Sequence, residues 1–218
     1  MVDFDRARQV MLDSQIRAGG VTNERIIAAM RAVPRELFVP DARRDLAYVD
    51  DLHWFGQPRT SRFMPSPASL ARLLQLLEIH ENDAVLDIGA STGYATALVA
   101  SLAASVTGLE QDAALAATAQ HNLARLGIAN ASIVAGDIAA IGPNQFDAIF
   151  AQGMLNSVPP GAIAALRDGG RLVTLIRNGA IGVAHVFVKT GGAVTTRQEF
   201  NGVLPTLLAT PQEAEFIF

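Results

Sequence analysis

An apolar run that ends in an acid and a glycine-punctuated turn, residues 84–93 (AVLDIGASTG), constrains the fold of this chain more than any other segment. A helix of small residues follows from about Tyr94. In this order of strand, tight loop and helix, a helix N-terminus and a closely approaching backbone can receive a nucleotide-like cofactor. A second apolar run ends in Glu110, 21 residues after Gly89, where an acid typically holds ribose hydroxyls. The two features together predict a site for S-adenosylmethionine.

Composition limits the class of protein. The chain has 218 residues, of which 50% are hydrophobic and 17% charged, so its length fits one α/β domain with an extension and a sizeable core. Lysine and arginine number 17 against 21 acids, and the resulting net charge of −4 argues against a nucleic-acid partner. The sequence has no cysteine, and His53, His80 and His121 do not pair at metal-ligand spacing, so we expect no metal site.

Targeting and membrane signals are also missing from the sequence. The first six residues carry two acids and no apolar core, which is not the pattern of a signal peptide. The sequence contains no run of about 20 apolar residues that would span a bilayer. We therefore expect a cytoplasmic protein without a membrane partner.

Apolar runs alternate with helix-length segments after residue 83. The expected strands are residues 84–88, 105–109, 131–134, 146–151, 171–176, 183–188 and 193–197, and the expected helices are residues 94–102, 112–126 and 160–166. Strands separated by helices predict an α/β fold with a doubly wound, mainly parallel sheet and right-handed crossovers. The last two strands flank Gly191 and Gly192, which predicts an antiparallel closing hairpin.

Residues 1–80 show no series of strands and are interpreted as an N-terminal helical and loop region that precedes the α/β domain of residues 81–218. An apolar stripe predicts a helix over residues 23–33, which proline 34 ends. Residues 50–65 are interpreted as a loop. Ser66 and Pro67 fit the N-cap and the first-turn proline of the helix that follows.

Eight residues around the strand ends form the predicted cofactor site. Gly89 and Gly93 allow the backbone to approach the ligand, and Glu110 accepts from the ribose. Gly136 allows a close turn, and Asp137 can accept from the adenine amino group. The predicted set is Asp87, Gly89, Ala90, Ser91, Gly93, Glu110, Gly136 and Asp137.

The same loop also spells Gly-x-Ser-x-Gly, the nucleophile elbow of α/β-hydrolases. A serine hydrolase acting through Ser91 needs an acid and a histidine downstream, and Asp137 or Asp147 with His185 are the available residues. Because His185 lies inside an apolar run, a packed strand histidine is the simpler interpretation of it. The hydrolase is therefore a minor alternative.

Over residues 9–175 the sequence closely resembles the protein-L-isoaspartate O-methyltransferase family. The segments that carry the resemblance are residues 15–17, 18–22, 29–30, 33–36 (VPRE), 38–40 (FVP), 47–48, 85–94, 110, 126–127, 136–137, 146–147 and 169–173. The segments in the methyltransferase half are shared by many enzymes, whereas VPRE-x-FVP is more specific.

This resemblance implies the S-adenosylmethionine-dependent methyltransferase fold, with the N-terminal region contributing the side that receives the methyl acceptor. It implies S-adenosyl-L-methionine as cofactor and methylation of the free carboxylate of isoaspartyl residues in damaged proteins, a repair reaction. The expected partners are isoaspartyl-containing peptides or proteins, or another carboxylate acceptor.

The sequence departs from the family pattern at two places. Serine stands at position 91, where the family usually has glycine. The family's Thr-Ile-Ser-x-Pro motif aligns on Pro67, which places Phe63, Met64 and Pro65 where the threonine, isoleucine and serine belong. Ser61 and Ser66 are the candidate catalytic hydroxyls that remain nearby. A divergent paralogue that methylates another acceptor, or binds the cofactor without isoaspartyl activity, is therefore an alternative.

Overall fold

A seven-stranded sheet forms the centre of the protein, whose computed structural model describes residues 2–55 and 62–207. Its strands are β3 (Ala84–Ile88), β4 (Ser105–Glu110), β5 (Ala131–Ala135), β6 (Phe146–Leu155), β7 (Leu166–Asn178), β8 (Ile181–Thr190) and β9 (Ala193–Gly202). A separate antiparallel pair, β1 (His53–Phe55) and β2 (Arg62–Met64), precedes them.

The sheet order is β5-β4-β3-β6-β7-β8-β9. Strands β3 to β7 pair in parallel, and β8 and β9 close the sheet as an antiparallel hairpin. The chain runs outward from β3 to β5 and then crosses back to β6 on the other side of β3. In a doubly wound sheet the crevice at the carboxyl ends of the strands beside such a reversal receives the ligand. The predicted fold class is confirmed.

Six α-helices lie among the described residues: α1 (Phe4–Met11), α2 (Glu24–Ala32), α3 (Pro67–Leu77), α4 (Tyr94–Ala100), α5 (Ala113–Arg125) and α6 (Pro160–Ala165). A π-helical turn, Leu12–Arg17, extends α1. Helix α2 begins after Asn23, whose side chain accepts from Arg25 N, and α3 begins after Ser66 with proline in its first turn, as predicted. Among these residues no helix is both long and apolar enough to cross a membrane.

The predicted loop over residues 50–65 is wrong in part, because it contains β1 and β2. Each strand has only three residues, and Trp54 packs against its cross-strand partner Phe63 with ring centroids 5.5 Å apart and the ring planes tilted by 56°. Strands this short give little periodicity in the sequence, so their pairing depends on tertiary contacts. The predicted strands 146–151 and 171–176 are also too short, since β6 and β7 pair beyond these limits through register shifts.

Residues 203–207, which we call the C-terminal strap, return from β9 to the carboxyl end of the sheet. Met154 N donates to Pro205 O at 2.9 Å, and Leu207 N donates to Met154 O at 3.0 Å. These bonds form a short parallel bridge between the strap and β6. The strap thereby lies beside the crevice that the topology assigns to a ligand.

Candidate active site

A cavity of about 270 Å³ opens at the carboxyl ends of β3 and β4. Its walls are mainly apolar, as an adenine ring requires, with a few polar groups. The lining residues are Arg62, Ile88, Gly89, Leu109, Gln111, Gly136, Asp137, Ile138, Ala139, Leu155, Pro159 and Leu207. Of the eight predicted cofactor residues, three line this cavity directly: Gly89, Gly136 and Asp137.

Three residues of the loop between β3 and α4 have left-handed backbone angles. Gly89, Ser91 and Gly93 have φ of 85°, 54° and 90°. The amides of Gly89 and Ala90 both donate to Leu109 O, at 2.9 and 3.0 Å, which fastens the loop to the end of β4. A Cβ on Gly89 would lie 2.5 Å from Leu207 Cδ2, so glycine is required here for close approach of the strap as well as for its backbone angle.

Glu110 ends β4, and its carboxylate accepts three hydrogen bonds. The residue is only 1% exposed. Its Oε2 accepts from Ser91 N at 2.8 Å, and its Oε1 accepts from Asp112 N at 2.9 Å and from Arg62 Nε at 3.0 Å. The backbone of the glycine loop and the start of α5 therefore fix the orientation of the acid predicted to hold the ribose.

Asp87 lies behind the loop, away from the cavity lining. Its carboxylate accepts from Gln152 Nε2 at 2.7 Å and from Thr96 Oγ1 at 2.7 Å, and the residue is 0% exposed. Burial raises the pKa of Asp87 to about 7 against the lowering effect of these two donors, and the nearby Glu110 raises it further. Asp87 therefore connects β3 to α4 through Thr96 and to β6 through Gln152.

Gly136 and Asp137 form the opposite wall. Gly136 N donates to Glu110 O at 2.8 Å, which aligns this turn with the end of β4. Asp137 accepts from Ala139 N through Oδ1 at 2.9 Å and so caps the short helix that carries Ile138 into the cavity. This arrangement is compatible with the predicted contact to an adenine amino group, which stays a prediction.

The predicted acceptor lip, which we define as residues 62–66, is buried except at Arg62. Phe63 and Met64 are 2% and 1% exposed, and Phe63 packs so closely against Gly153 that a Cβ there would lie 2.8 Å from its ring. Pro65 O accepts from Nη2 of the fully buried Arg35 at 2.6 Å. The apolar residues that replace the family motif are thus part of the core.

Of the two candidate catalytic hydroxyls, Ser66 lies among the described residues. Ser66 Oγ accepts from Ser69 N at 3.5 Å and lies 3.1 Å from Ser69 Oγ, so its hydroxyl caps α3. Ser61 lies outside the described residues. A role for either hydroxyl in catalysis stays a prediction, as do the cofactor contacts of the eight residues predicted above.

Sequence reasoning did not identify four contributors to the cavity and its surroundings: Arg62, Leu207, Leu155 and Gln152. Arg62 and Leu207 bond to each other although they are 145 residues apart, and Leu155 lies in the extension of β6 that was not predicted. The sequence offered one signal for these contacts. Gln152 lies inside an apolar strand, where a buried amide needs a polar partner.

The geometry does not support the serine hydrolase. Ser91 Oγ is buried and has no hydrogen-bond partner within the described part of the chain. His185 lies on β8, separated from β3 by β6 and β7, and its Nδ1 bonds to Val183 O. No cluster of three or more potential metal ligands occurs among residues 2–55 and 62–207.

The residues present fit S-adenosylmethionine. The mainly apolar cavity lies at the strand ends, next to Glu110. The backbone amides of Ser91 and Asp112 fix the orientation of this acid, which can then accept hydrogen bonds from a ribose. Asp137 supplies an acceptor at the opposite wall. When bound, this cofactor supplies an electrophilic methyl group on a sulfonium.

Comparison with known proteins identifies the family. Residues 6–206 match the family model described as protein-L-isoaspartate(D-aspartate) O-methyltransferase (PCMT). A protein-L-isoaspartate O-methyltransferase of Methanoculleus marisnigri is 39% identical over 170 residues, covering 77% of this chain and 76% of that protein. One of Koribacter versatilis is 36% identical over 193 residues, covering 87% and 84%.

Two solved structures share the fold. A protein-L-isoaspartate O-methyltransferase aligns with a TM-score of 0.77 at 23% identity, covering 91% of this chain, which spans 65% of that chain's length. A Plasmodium falciparum protein of the same description, solved with S-adenosyl-L-homocysteine, aligns with a TM-score of 0.75 at 19% identity, covering 95% and 99%. The family resemblance and the predicted class of S-adenosylmethionine-dependent methyltransferase are confirmed.

Proposed function

The chain belongs to the protein-L-isoaspartate(D-aspartate) O-methyltransferase family, and on this basis we propose that it methylates the free carboxylate of isoaspartyl residues in damaged peptides and proteins. The methyl donor is S-adenosyl-L-methionine. The observation that carries the proposal is the family match over residues 6–206, which includes the acceptor lip and every residue that lines the cavity except Leu207.

The reaction needs little from the protein beyond alignment. Bound S-adenosyl-L-methionine would supply its methyl group to a carboxylate oxygen of the acceptor, and the thioether would leave with the electron pair of the C–S bond. A carboxyl group is already ionised near neutral pH, so no strong base is required. Positioning alone can lower such a barrier by about 7–11 kcal/mol. Glu110 would orient the donor for this transfer.

The acceptor lip predicts a low rate on isoaspartyl substrates. Phe63, Met64 and Pro65 offer no side-chain donor where the family places two hydroxyls. A site that hydrogen-bonds its substrate loses heavily when the donors are removed, because polar atoms of the substrate are left unpaired. We therefore expect weak methylation of isoaspartyl peptide, with selectivity over the aspartyl form retained.

The test compares an isoaspartyl peptide with its aspartyl twin, using radiolabelled cofactor and purified protein. The proposal expects measurable transfer to the isoaspartyl peptide alone. Transfer to neither peptide, with cofactor binding intact, would contradict it and favour a paralogue that uses another acceptor.

A single substitution tests the role of the lip. Restoring all three motif residues would remove the buried Phe63 and Met64 side chains, which costs about 3–5 kcal/mol for a phenylalanine alone. Pro65→Ser restores one hydroxyl with less disruption, and one new hydrogen bond to a carboxylate predicts about a tenfold rise in kcat/KM. Pro40→Ser, at an exposed proline, is the matched control. A Pro65→Ser variant with unchanged kcat/KM would remove the lip from acceptor recognition.

The setting of the reaction belongs to the same proposal. A cytoplasmic location, without nucleic-acid or membrane partners, agrees with the acidic, cysteine-free composition. The acceptors proposed are isoaspartyl-containing proteins or peptides.

A further inference from the structure

Arg62 reaches from the acceptor lip into the cofactor cavity. It begins β2, pairs with Phe55 across the hairpin, and lines the cavity wall. Its Nε lies 3.0 Å from Oε1 of Glu110, with the arginine side chain 20% exposed and the glutamate side chain 0% exposed. A cation from the lip is therefore paired with the acid that we assign to the ribose.

The guanidinium of Arg62 holds two further groups. Nη1 donates to Leu207 O of the C-terminal strap at 2.5 Å, and Nη2 donates to Oε1 of Gln111. One planar fork thus joins the lip, the end of β4 and the strap. Arginine is suited to this role because its five donors have a fixed geometry.

The acceptor capacity of Glu110 limits what can bind there at the same time. A carboxylate offers about four lone-pair positions. Asp112 N and Arg62 Nε occupy Oε1, and Ser91 N takes one position on Oε2. A ribose presents two adjacent hydroxyls and needs two acceptor positions to be held by one carboxylate, one more than these contacts leave. The two backbone amides are fixed by the loop and by α5, so Arg62 is the partner that can leave.

We propose that Arg62 is a positioning residue that competes with the cofactor's ribose for Glu110, and so lowers cofactor affinity and couples cofactor binding to release of the lip and strap. The inference rests on the proposed function for the identity of the ligand. Because the same fork holds Leu207 O, departure from Glu110 also frees the strap that covers Gly89. Binding of the donor then loosens the contacts between lip and strap, beside which the acceptor must enter.

Isothermal titration calorimetry with S-adenosyl-L-homocysteine tests the competition without any methyl acceptor. Arg62→Met keeps the length of the side chain and removes the charge, and should tighten Kd about three- to tenfold. Arg62→Lys keeps the charge without the fork and should give an intermediate Kd. Arg167→Met, which breaks the exposed pair with Asp147, is the matched control and should leave Kd unchanged.

Salt provides a readout that a purely structural role would not produce. Raising ionic strength screens the partly exposed Arg62–Glu110 pair, so wild-type affinity should increase with salt and the Arg62→Met affinity should not. Equal or weaker binding by Arg62→Met, with a wild-type melting temperature, would overturn the competition and leave the proposed function intact. Failure of wild type and variant alike to bind would overturn the proposed function itself.

Discussion

The cofactor side and the acceptor side of this site are built from contacts of different range. On the cofactor side, Glu110, Ser91 N and Asp112 N meet within 21 residues of sequence, and each sits where a parallel strand ends. On the acceptor side, Arg35 bonds to Pro65 O across 30 residues, and Arg62 bonds to Leu207 O across 145. The first region repeats a local geometry that many proteins share, whereas the second joins segments that are far apart in sequence. Arg35→Ala on the acceptor side should therefore change stability, and Glu110→Gln on the cofactor side should change ligand affinity.

Arg35→Ala should have the largest effect, on stability. The guanidinium donates to Ala47 O at 2.8 Å and to Pro65 O at 2.6 Å, and lies 4.8 Å from the centre of the Tyr94 ring. Its loss leaves two carbonyls without a donor and opens a cavity, so urea denaturation should show a loss of about 3–5 kcal/mol in the free energy of unfolding. Arg44→Ala, at an exposed pair with Asp41, is the control. A loss below about 1 kcal/mol would mean that the acceptor side does not depend on this clamp.

Asp87→Asn should change how stability depends on pH. Burial raises the pKa of Asp87 to about 7 from an ordinary value of 3.8, so the folded state binds this proton more tightly than the unfolded chain. The carboxyl group therefore contributes its full stability below about pH 4, and that contribution is lost as pH rises towards 7. The difference in unfolding free energy between Asp87→Asn and wild type should move in favour of the variant by up to about 4 kcal/mol over this range.

Asp147 provides a control of opposite sign. Burial would raise the pKa of Asp147, but the Ala84 amide and the Arg167 guanidinium outweigh it and hold that pKa below its ordinary value. Its contribution to stability is lost as pH falls, so Asp147→Asn should lose its disadvantage at low pH. Parallel pH profiles for the two variants would contradict the assignment of Asp87.

Glu110→Gln should act on affinity. An amide of the same shape keeps the packing but replaces an acceptor-only group, and hydrogen bonds to charged groups contribute about 1.5–3 kcal/mol. Titration with S-adenosyl-L-homocysteine should show a ten- to hundredfold weaker Kd. Asp112→Asn keeps its capping oxygen and serves as control. Unchanged binding would remove Glu110 from the site.

Ser91→Gly should have the smallest effect. Ser91 has φ of 54°, a region that glycine occupies without a steric cost, although glycine gives the unfolded chain more freedom. The two effects oppose each other, so stability should change by less than about 1 kcal/mol and cofactor affinity by less than threefold. Labelling of Ser91 by an active-serine probe would contradict this prediction and favour the hydrolase.

The strand, turn and helix of the cofactor side could be predicted because the signals for them are local. The run from Ala84 to Gly93 contains its own strand, turn and helix start, and the distance to Glu110 follows from one helical crossover. The sequence did not indicate that Asp87 would lie away from the cavity lining. The Asp87 carboxylate accepts a hydrogen bond from the Gln152 side chain, and this contact forms only when β6 lies beside β3 in the folded sheet.

Residues 50–65 were predicted as a loop because the contacts that order them come from residues distant in sequence. Phe63 and Met64 lie in a three-residue strand, too short for a periodic signal, and are buried by Trp54 and by the strap beside Gly153. No pattern within residues 50–65 indicates that Arg35 will bind Pro65 O or that Leu207 will reach Arg62. Such contacts follow from the assembled topology, which sequence reasoning gave only in outline.

The C-terminal strap, whose Thr206 bridges to Met154 of β6, is synthesised late. Residues 203–207 leave the ribosome after every strand of the sheet has been synthesised. A nascent chain can therefore form the parallel strands and the glycine loop before the segment that covers Gly89 exists. Until Leu207 is synthesised, the crevice lacks the side chain that covers Gly89.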